Sequence, residues 1–393
     1  MTATWDDYQW LTTDAGRAAL ADLAKCGDPP ASQVPRLRKR FTAMQTHVLV
    51  EQTLLRQRAT DKFAAPEPLL FTPVGLEQAT DEWVARYKAA RFPTGESVVD
   101  LCCGVGGDLR ALAERGPAVG VDRDPLVAAF ARHNTGCEVQ ANDVADCDVG
   151  SFGAWHIDPD RRPDGKRTTR VIDHQPGVDV IERLLLRNPQ GAIKLAPAAE
   201  WPGAWSDEAE WEWISRGGQV RQLVAWFGSL AHRRGQRTAT ILDRNGRVVS
   251  QVSGPHEPSV IDQSPVLAWL YEPDSAVIAA GLVPALAGDL NLKQPSPGIA
   301  YLTGDHHVSH AALTAFRVLD VQPFDLKRLK RWFREGEWNC VEVKKRGADI
   351  DPAAVLRTLR QPTGRPTTVL VMPLADRVSA VIAERVGENT ASA

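Results

Sequence analysis

The sequence predicts an α/β protein, built on a doubly wound, mostly parallel sheet. A helical region precedes this sheet and a small α+β domain follows it. Two observations carry the prediction. Apolar strands alternate with amphipathic helices from about residue 80 to residue 242, an order that produces parallel strands with helices on both faces. The first strand also leads directly into a glycine-containing turn that opens a helix, Cys102–Gly107.

Residues 1–66 are predicted to form a helical N-terminal region. Its apolar positions follow spacings of three and four residues, which predicts one continuous helix through Val34, Leu37, Phe41, Met44 and Val48. Basic residues lie between these positions, and we interpret them as a solvated face rather than an RNA-contacting patch. Pro66-Glu67-Pro68 marks the boundary to the next domain.

The α/β domain is predicted to span residues 67–242. Five strands are expected at residues 98–101, 118–122, 137–141, 153–158 and 191–196. Helices are expected at residues 80–91 and 177–187, and a further helix begins at Pro125 with Asp124 as its N-cap. Ser206-Asp207-Glu208 is predicted to cap a further helix that ends at Gly217-Gly218. Two more strands are expected at residues 220–227 and 237–242.

Residues 243–314 are assigned as a connecting region, and residues 315–393 as the α+β domain. Strands are predicted there at residues 317–321, 338–344, 367–372 and 378–382, and helices at 325–334 and 352–359. Residues 317–365 contain 12 lysines and arginines against 7 acidic residues, although the whole chain carries a net charge of −3. This local asymmetry indicates either a polyanionic partner or a charged solvent-exposed face.

The glycine turn predicts a ligand site. Gly104, Gly106 and Gly107 allow the backbone to turn sharply and to approach a ligand closely. Asp100, at the end of the first strand, is unfavourable for a phosphate but suits a ligand with a cationic end, such as S-adenosylmethionine. Asp122 ends the second strand, where a carboxylate accepts ribose hydroxyls. A dinucleotide-binding dehydrogenase is the main competing interpretation, but Leu109 stands where its third glycine is required.

With these residues in place, the stretch from Phe71 to Arg162 resembles a class I S-adenosylmethionine-dependent methyltransferase. The resemblance implies a seven-stranded sheet, whose antiparallel strand residues 220–242 would supply. It also implies that Asp100 holds the methionine amino group and that Asp122 binds ribose. Asp143, after the third strand, would bind the adenine amino group, although it is also well placed as a loop cap. Cys102 and the three glycines complete the predicted cofactor site.

The chain as a whole resembles a bacterial methyltransferase family that carries a C-terminal THUMP-like domain. The resemblance includes Leu76-Glu77-Gln78-Ala79-Thr80, the loop at residues 158–162 and the C-terminal segment. THUMP domains proper bind RNA on RNA-modifying enzymes. Residues 98–125 are also similar to trimethylguanosine synthase, which methylates an RNA cap. These resemblances imply RNA as the partner.

The loop after the fourth strand is the predicted catalytic region, because ligands bind beyond the carboxyl ends of parallel strands. Aminomethyltransferases have Asp/Asn-Pro-Pro-aromatic there, whereas this chain has Asp158-Pro159-Asp160-Arg161, followed by Arg162. Asp158 is predicted to orient or deprotonate the nucleophile, and the arginines to bind a phosphate or carboxylate. A purely structural turn is the alternative. Lys194, inside an apolar strand, is either a site residue or an ion-paired strand residue.

Other site types are not predicted. The six cysteines form no Cys-x-x-Cys pair, and His306, His307 and His310 lack a carboxylate cluster, so no metal site is expected. No cysteine follows the fourth or fifth strand, which disfavours covalent catalysis. No signal peptide or run of 18 apolar residues is present, so we expect a cytoplasmic protein without a membrane partner. The oligomeric state is left open.

The sequence thus predicts a methyltransferase that acts on RNA and docks it through the C-terminal domain. Two alternatives are kept: a methyltransferase that acts on a protein or a small molecule, and a non-catalytic protein that retains the cofactor fold.

Overall fold

The computed structural model describes residues 3–26, 29–161, 168–255 and 260–386. Its helices are α1 (Trp5–Gln9), α2 (Asp14–Lys25), α3 (Val34–Leu37), α4 (Ala43–Ala59), α5 (Pro73–Gln78), α6 (Glu82–Ala89), α7 (Gly107–Arg115), α8 (Pro125–Thr135), α9 (Val178–Arg187), α10 (Ser275–Ala279), α11 (Val283–Asp289), α12 (Leu326–Glu335) and α13 (Pro352–Leu359).

Its strands are β1 (Val98–Leu101), β2 (Ala118–Asp122), β3 (Glu138–Ala141), β4 (Ala154–Ile157), β5 (Gly191–Leu195), β6 (Glu210–Arg216), β7 (Gln219–Trp226), β8 (Gln236–Leu242), β9 (Val248–Pro255), β10 (Trp269–Pro273), β11 (Leu302–Gly304), β12 (Leu313–Pro323), β13 (Trp338–Lys345), β14 (Arg365–Leu374) and β15 (Arg377–Val386). Arg162 lies outside the described residues.

The chain divides into two compact units. The first contains Met1–Glu210, Gln222–Arg234 and Asn245–Arg247, and the second contains Trp211–Arg221, Gly235–Arg244 and Val248–Ala393. The four-segment division made from the sequence stays a prediction.

The first unit is built on the predicted doubly wound sheet. β1 pairs in parallel with both β2 and β4, β2 with β3, and β4 with β5, while β7 pairs antiparallel with β5. The chain therefore moves outward from β1 in one direction and then returns to build β4 and β5 on the other side. Such a reversal leaves a crevice at the carboxyl ends of β1 and β4, where ligands bind in this fold class.

The central strands are buried on both faces, as parallel strands covered by helices must be. Every residue of β1, β4 and β5 is buried, including the polar residues Asp100, His156 and Lys194. Since burying a polar group without a partner costs free energy, these three residues mark the part of the sheet where a site is expected.

The N-terminal region is helical, as predicted, and packs around Leu49, Phe71 and Phe130 in one apolar core. The single helix predicted through residues 34–48 is wrong, because α3 and α4 are separate. Thr42 caps α4: its side chain accepts a hydrogen bond from Gln45 N, and the Gln45 side chain accepts one from Thr42 N. This reciprocal capping begins a new helix inside a continuous apolar pattern.

The second unit contains a three-stranded segment and a six-stranded sheet. β6 is parallel to β8, which is antiparallel to β9. The six-stranded sheet has the order β11-β10-β12-β15-β14-β13, so β10 and β11 join the strands predicted from residue 315 onward. The helices and strands predicted for the C-terminal domain are present. α12 and α13 pack on the sheet through Leu329, Phe333, Val355 and Leu359.

The helix predicted after Ser206 is wrong, because residues 210–216 form strand β6. Trp211 and Trp213 alternate with Glu210 and Glu212, and all four residues are buried. Alternation with a period of two is a strand pattern. The buried Glu212 is paired within the sheet, since it accepts a hydrogen bond of 2.6 Å from Thr240 Oγ1 on β8. The capping residues at 206–208 suggested a helix where the chain makes a turn.

No helix in the described part of the chain is long and apolar enough to cross a bilayer.

Candidate active site

A cleft of about 620 Å³ lies at the carboxyl ends of the parallel strands in the first unit. Four carboxylates reach it from consecutive strands or the loops that follow them: Asp100 from β1, Asp122 from β2, Asp143 after β3 and Asp158 after β4. The sequence placed these acids in separate segments, and the fold brings them to one cavity. Such a concentration of negative charge suits a ligand with cationic and hydroxyl groups.

The turn between β1 and α7 forms the floor of this cleft. Cys102, Gly104 and Gly106 have positive φ angles of 54°, 55° and 88°. This left-handed conformation is strained for Cys102, which has a Cβ. A Cβ at Gly104 would meet no described atom within 4 Å, so the backbone there faces open space. Gly104 N donates a hydrogen bond of 3.0 Å to Asp122 Oδ2, which holds the turn against β2.

The other two glycines have packing roles as well. A Cβ at Gly106 would lie 2.7 Å from Thr135 Cγ2 on α8, and one at Gly107 would lie 3.1 Å from the Thr80 carbonyl oxygen. Gly107 lines the cleft, whereas Gly106 is not among the lining residues. We infer that Gly106 shapes the turn on the side that packs against α8.

Asp100 is fully buried beneath the turn and is held by a histidine. His156 Nδ1 on β4 lies 2.7 Å from Asp100 Oδ1. The other oxygen, Oδ2, is buried and has no hydrogen-bond partner among the described residues. Burial raises the pKa of Asp100, and the neighbouring His156 opposes this shift. A buried carboxylate oxygen without a partner is costly unless a ligand supplies a donor.

The histidine is in turn supported by a buried ion pair. Lys88 Nζ lies 3.2 Å from His156 Nε2 and 2.7 Å from Asp108 Oδ1. Thr80 Oγ1 donates to Asp108 Oδ2 at 2.7 Å. Burial alone would raise the pKa of Asp108, but Lys88 and His156 hold it well below its usual range. The imidazole of His156 thus lies between Asp100 and the Lys88–Asp108 pair, with one ring nitrogen within hydrogen-bonding distance of each.

Asp122 and Asp143 occupy the more open part of the cleft. Asp122 Oδ1 accepts a hydrogen bond of 3.0 Å from Asp124 N, and burial raises the pKa of this carboxyl group. Each oxygen of Asp122 accepts one such bond and keeps a lone pair for a further donor. Asp143 is exposed and caps a short turn through a 2.9 Å hydrogen bond from Ala145 N. The loop-cap role considered for Asp143 is therefore present, and the residue also lines the cleft.

The loop after β4 forms a further wall of the cleft. Asp158, Pro159, Asp160 and Arg161 all line the cleft. Lys194 on β5 does not line it, but its Nζ lies 2.5 Å from Asp158 Oδ2 and 3.3 Å from the Gln78 carbonyl oxygen. The loop is also tied to the segment before α9. Asp160 and Gln175 exchange backbone hydrogen bonds of 2.8 and 3.0 Å, so Asp160 and Arg161 belong to an ordered wall.

Sequence reasoning missed His156, Lys88 and Asp108. The available signal for His156 was a polar residue inside the apolar strand Ala154–Ile157, the same signal that identified Lys194. Lys88 and Asp108 lie on helices, where charged residues are common, so only the tertiary structure shows that they are buried. Residues 72–80 also line the cleft through Thr72, Gly75 and Gln78.

Neither thiol chemistry nor a metal is indicated in this region. Burial raises the pKa of Cys102 and of Cys103 well above the usual thiol value, which keeps both groups protonated and weakly nucleophilic. No group of three or more potential metal ligands occurs within the described ranges, which include His306, His307 and His310.

Comparison with known proteins identifies the family. Proteins from two strains of Mycobacterium tuberculosis, each described as an uncharacterized S-adenosylmethionine-dependent methyltransferase, are 36% identical to this chain over 337 residues. The match covers 82% of this chain and 91% of each relative. The chain belongs to the S-adenosylmethionine-dependent methyltransferases. S-adenosylmethionine is accordingly the cofactor of this methyltransferase, as the glycine turn and its acids predicted.

Further comparisons match two segments and the overall fold of the methyltransferase. The THUMP domain-like family matches residues 313–385, and a domain of unknown function, DUF8688, matches residues 4–59. Among solved structures, a protein of Porphyromonas gingivalis W83 assigned as a methyltransferase has a TM-score of 0.77 at 19% identity. That match covers 95% of this chain and 99% of the other. At this identity the similarity shows the fold alone.

The residues of the cleft fit this cofactor. Asp100 Oδ2 is a buried acceptor for which the described part of the chain provides no donor, and an ammonium group would supply one. The open space over Gly104 gives the cofactor access to the backbone of the turn.

Proposed function

We propose that this methyltransferase acts on RNA and docks it through the THUMP-like domain. The observation that carries the proposal is the charge on α12. Five cations of this helix are exposed, and none forms an ion pair with another described residue: Lys327, Arg328, Lys330, Arg331 and Arg334. Unpaired cations on one helix attract a polyanion, because binding releases the counterions of the phosphate backbone.

The second basic cluster of the domain supports the proposal less, because its charges are partly neutralised. Lys344 Nζ lies 2.6 Å from Glu272 Oε2, and Arg346 Nη2 lies 3.1 Å from Glu272 Oε1. Lys345 is exposed and donates to the Ile350 carbonyl oxygen at 2.7 Å. We therefore place the RNA contact on α12 rather than at the end of β13.

An aromatic surface adjoins the basic helix. Trp332 on α12 and Trp338 on β13 are stacked, with ring centroids 5.8 Å apart and an interplanar angle of 15°. The Arg365 guanidinium lies 3.9 Å from the Trp338 ring centroid. Both tryptophans are half-buried, so part of each remains accessible. Aromatic rings and arginines beside a cationic groove are the combination that binds unpaired bases.

We assign the cofactor contacts by the position of each acid in the cleft. Asp100 accepts from the methionine amino group, Asp122 accepts from the ribose hydroxyls, and Asp143 accepts from the adenine amino group. The turn brings its backbone close to the cofactor through Cys102, Gly104 and Gly107, and Gly106 gives the turn its shape. The buried, unpartnered Asp100 Oδ2 and the lone pairs left on Asp122 support these roles.

We assign substrate positioning to the loop after β4. Bound S-adenosylmethionine supplies a methyl group on a sulfonium, an excellent leaving group, so alignment of the nucleophile provides much of the rate. Lys194 engages Asp158 Oδ2, which leaves Oδ1 to accept a hydrogen bond from the nucleophile. Lys194 is thus a positioning residue. Pro159 and Asp160 shape the wall, and we assign Arg161, which also lines the cleft, to a substrate phosphate.

The absence of a second proline and an aromatic ring in this loop argues against methylation of a base amino group by the Asp/Asn-Pro-Pro-aromatic arrangement. We expect the reaction to occur in the reducing environment of the cytoplasm, because no disulfide bond occurs among the described residues.

The proposal is tested with methyl-labelled S-adenosylmethionine and an extract of cells that lack the protein. The label is then counted in the RNA, protein and small-molecule fractions, with Asp100→Ala as the blank. Label in RNA that is absent from the blank supports the proposal. Label confined to protein or small molecules contradicts RNA as the substrate and favours the alternative methyltransferase. Cofactor binding without label in any fraction favours a non-catalytic protein.

A further inference from the structure

A second cleft occurs in the first unit, among the N-terminal helices and residues of α7 and α8. Its volume is about 690 Å³, which lies within the range of small-molecule sites. One wall is aliphatic and consists of residues from α2 and from the segment before α5: Leu20, Ala21, Ala24, Leu69 and Leu70. None of the residues assigned above to the cofactor or to catalysis lines this cleft.

The polar lining of the second cleft is strongly cationic. Arg17, Arg56 and Arg110 line it together with one carboxylate, Glu67. Arg110 Nη1 is buried and has no hydrogen-bond partner within the described ranges. Arg56 is half-buried, and its Nε donates to the Leu69 carbonyl oxygen at 2.9 Å. Arg17 lies at the rim, because its side chain is 63% exposed and pairs with Asp14.

Burial lowers the pKa values of two basic residues that line the second cleft. Burial lowers the pKa of Arg56 to about 10, and Glu67 is the group that opposes the shift. Burial also lowers the pKa of His133, another lining residue, and both Arg56 and Arg17 contribute to the lowering. Cations that are desolvated and incompletely paired make the cleft favourable for an anion.

We propose that the second cleft binds a small organic anion, which is a phosphate or carboxylate attached to an apolar body. The charged group contacts Arg56 and Arg110, and the apolar body packs against Leu20 and Ala24. Binding supplies a hydrogen-bond acceptor for the buried Nη1–H of Arg110 and removes the aliphatic wall from water.

The test uses 8-anilinonaphthalene-1-sulfonate, an anion with an apolar body, as a fluorescent probe of the full-length protein. Saturating S-adenosylhomocysteine is present to keep the probe out of the cofactor cleft. Arg56→Gln and Arg110→Gln are each expected to weaken probe binding about tenfold, the effect of losing one charge-assisted hydrogen bond. The matched control is Arg58→Gln, which changes an exposed arginine of α4 outside the cleft and should leave binding unchanged.

A neutral probe, N-phenyl-1-naphthylamine, separates loss of charge from loss of fold, because its binding should be the same in all variants. Phenyl phosphate and phenylacetate are then used as competitors, and the stronger one identifies the charged group of the ligand. If Arg56→Gln does not fold, Arg110→Gln and the charge-retaining Arg56→Lys provide the comparison. Equal binding of the anionic probe to the wild type and the folded arginine variants would overturn the proposal, as would failure of both competitors.

Discussion

At the scale of single residues, Asp100 carries the proposed cofactor contact. Its Oδ1 lies 2.7 Å from His156 Nδ1, and its buried Oδ2, which has no hydrogen-bond partner among the described residues, is the acceptor that we assign to the cofactor. We predict that Asp100→Asn weakens S-adenosylhomocysteine binding by about 10- to 100-fold, because a charge-assisted hydrogen bond contributes about 1.5–3 kcal/mol. Titration calorimetry measures this loss. Asp146→Asn, at an exposed acid outside the cleft, is the control. Equal affinity in both variants would remove Asp100 from the site.

His156 has a positioning role that a pH profile detects. Burial raises the pKa of Asp100 above its usual value of 3.8, and His156 opposes the rise. Because the ionised carboxylate binds the cofactor amino group, affinity should fall as the pH decreases through this pKa. Without the histidine the pKa rises further, so we predict that His156→Phe loses affinity at a higher pH than the wild type.

The conservative variant His156→Asn, which keeps an N–H donor near the Nδ1 position, should restore part of the profile. Calorimetric titrations with S-adenosylhomocysteine across the pH range measure both effects. A uniform loss of affinity at every pH would show that His156 has only a structural role.

At the scale of elements, two ion pairs connect α6 and α7 in different environments. The pair of Lys88 and Asp108 is buried, whereas Arg86 and Glu114 have side chains that are 48% and 45% exposed. We predict that Lys88→Met lowers the free energy of unfolding by about 3–5 kcal/mol, since it leaves Asp108 buried without its partner. Glu114→Gln should cost less than about 1 kcal/mol, because it removes only the exposed pair. Urea unfolding of both variants measures the difference, and similar losses would contradict the buried network.

The proposed RNA contact on helix α12 is tested by removing two of its charges. Neutralising Lys330 and Arg331 together should weaken RNA binding and reduce the slope of log affinity against log salt by about 1.5, since each phosphate contact contributes about 0.7–0.9. Filter binding at several salt concentrations measures the slope. Arg317→Ser is the matched control, because Arg317 Nε is 3.0 Å from Glu384 Oε2 and its charge is already paired. An unchanged slope in the double variant would place the RNA contact elsewhere.

At the scale of the whole molecule, the THUMP-like domain cannot be removed cleanly at residue 315. β12 pairs with β10 over five residue positions, from Trp269–Arg317 to Pro273–Leu313. A chain ending at residue 314 therefore exposes the edge of β10, and unpaired strand edges promote aggregation. We predict that this truncation aggregates, as measured by size-exclusion chromatography, whereas the α12 double variant elutes like the wild type. A monodisperse truncated protein would show that β10 does not need β12.

The sequence was a good guide wherever local chemistry decides structure. Asp124 and Pro125 begin α8 as predicted, and the apolar runs at β1, β4 and β5 are the buried parallel strands. It failed where two local patterns competed. The cap at residues 206–208 concealed the alternation of β6, and the apolar stripe at residues 34–48 concealed the start of α4 at Thr42.

By itself, the sequence determined the class of fold and the cofactor, and it named the four acids that the fold brings to one cleft. Alternating strands, a glycine turn and regularly placed carboxylates are local features, and the topology of parallel sheets brings strand ends to one edge. Only the tertiary structure decided what supports those acids. Lys88, Asp108 and His156 lie on three different elements, and only packing buries them together beside Asp100. The position of Lys194 at Asp158, and not in the cleft lining, is likewise a result of strand register.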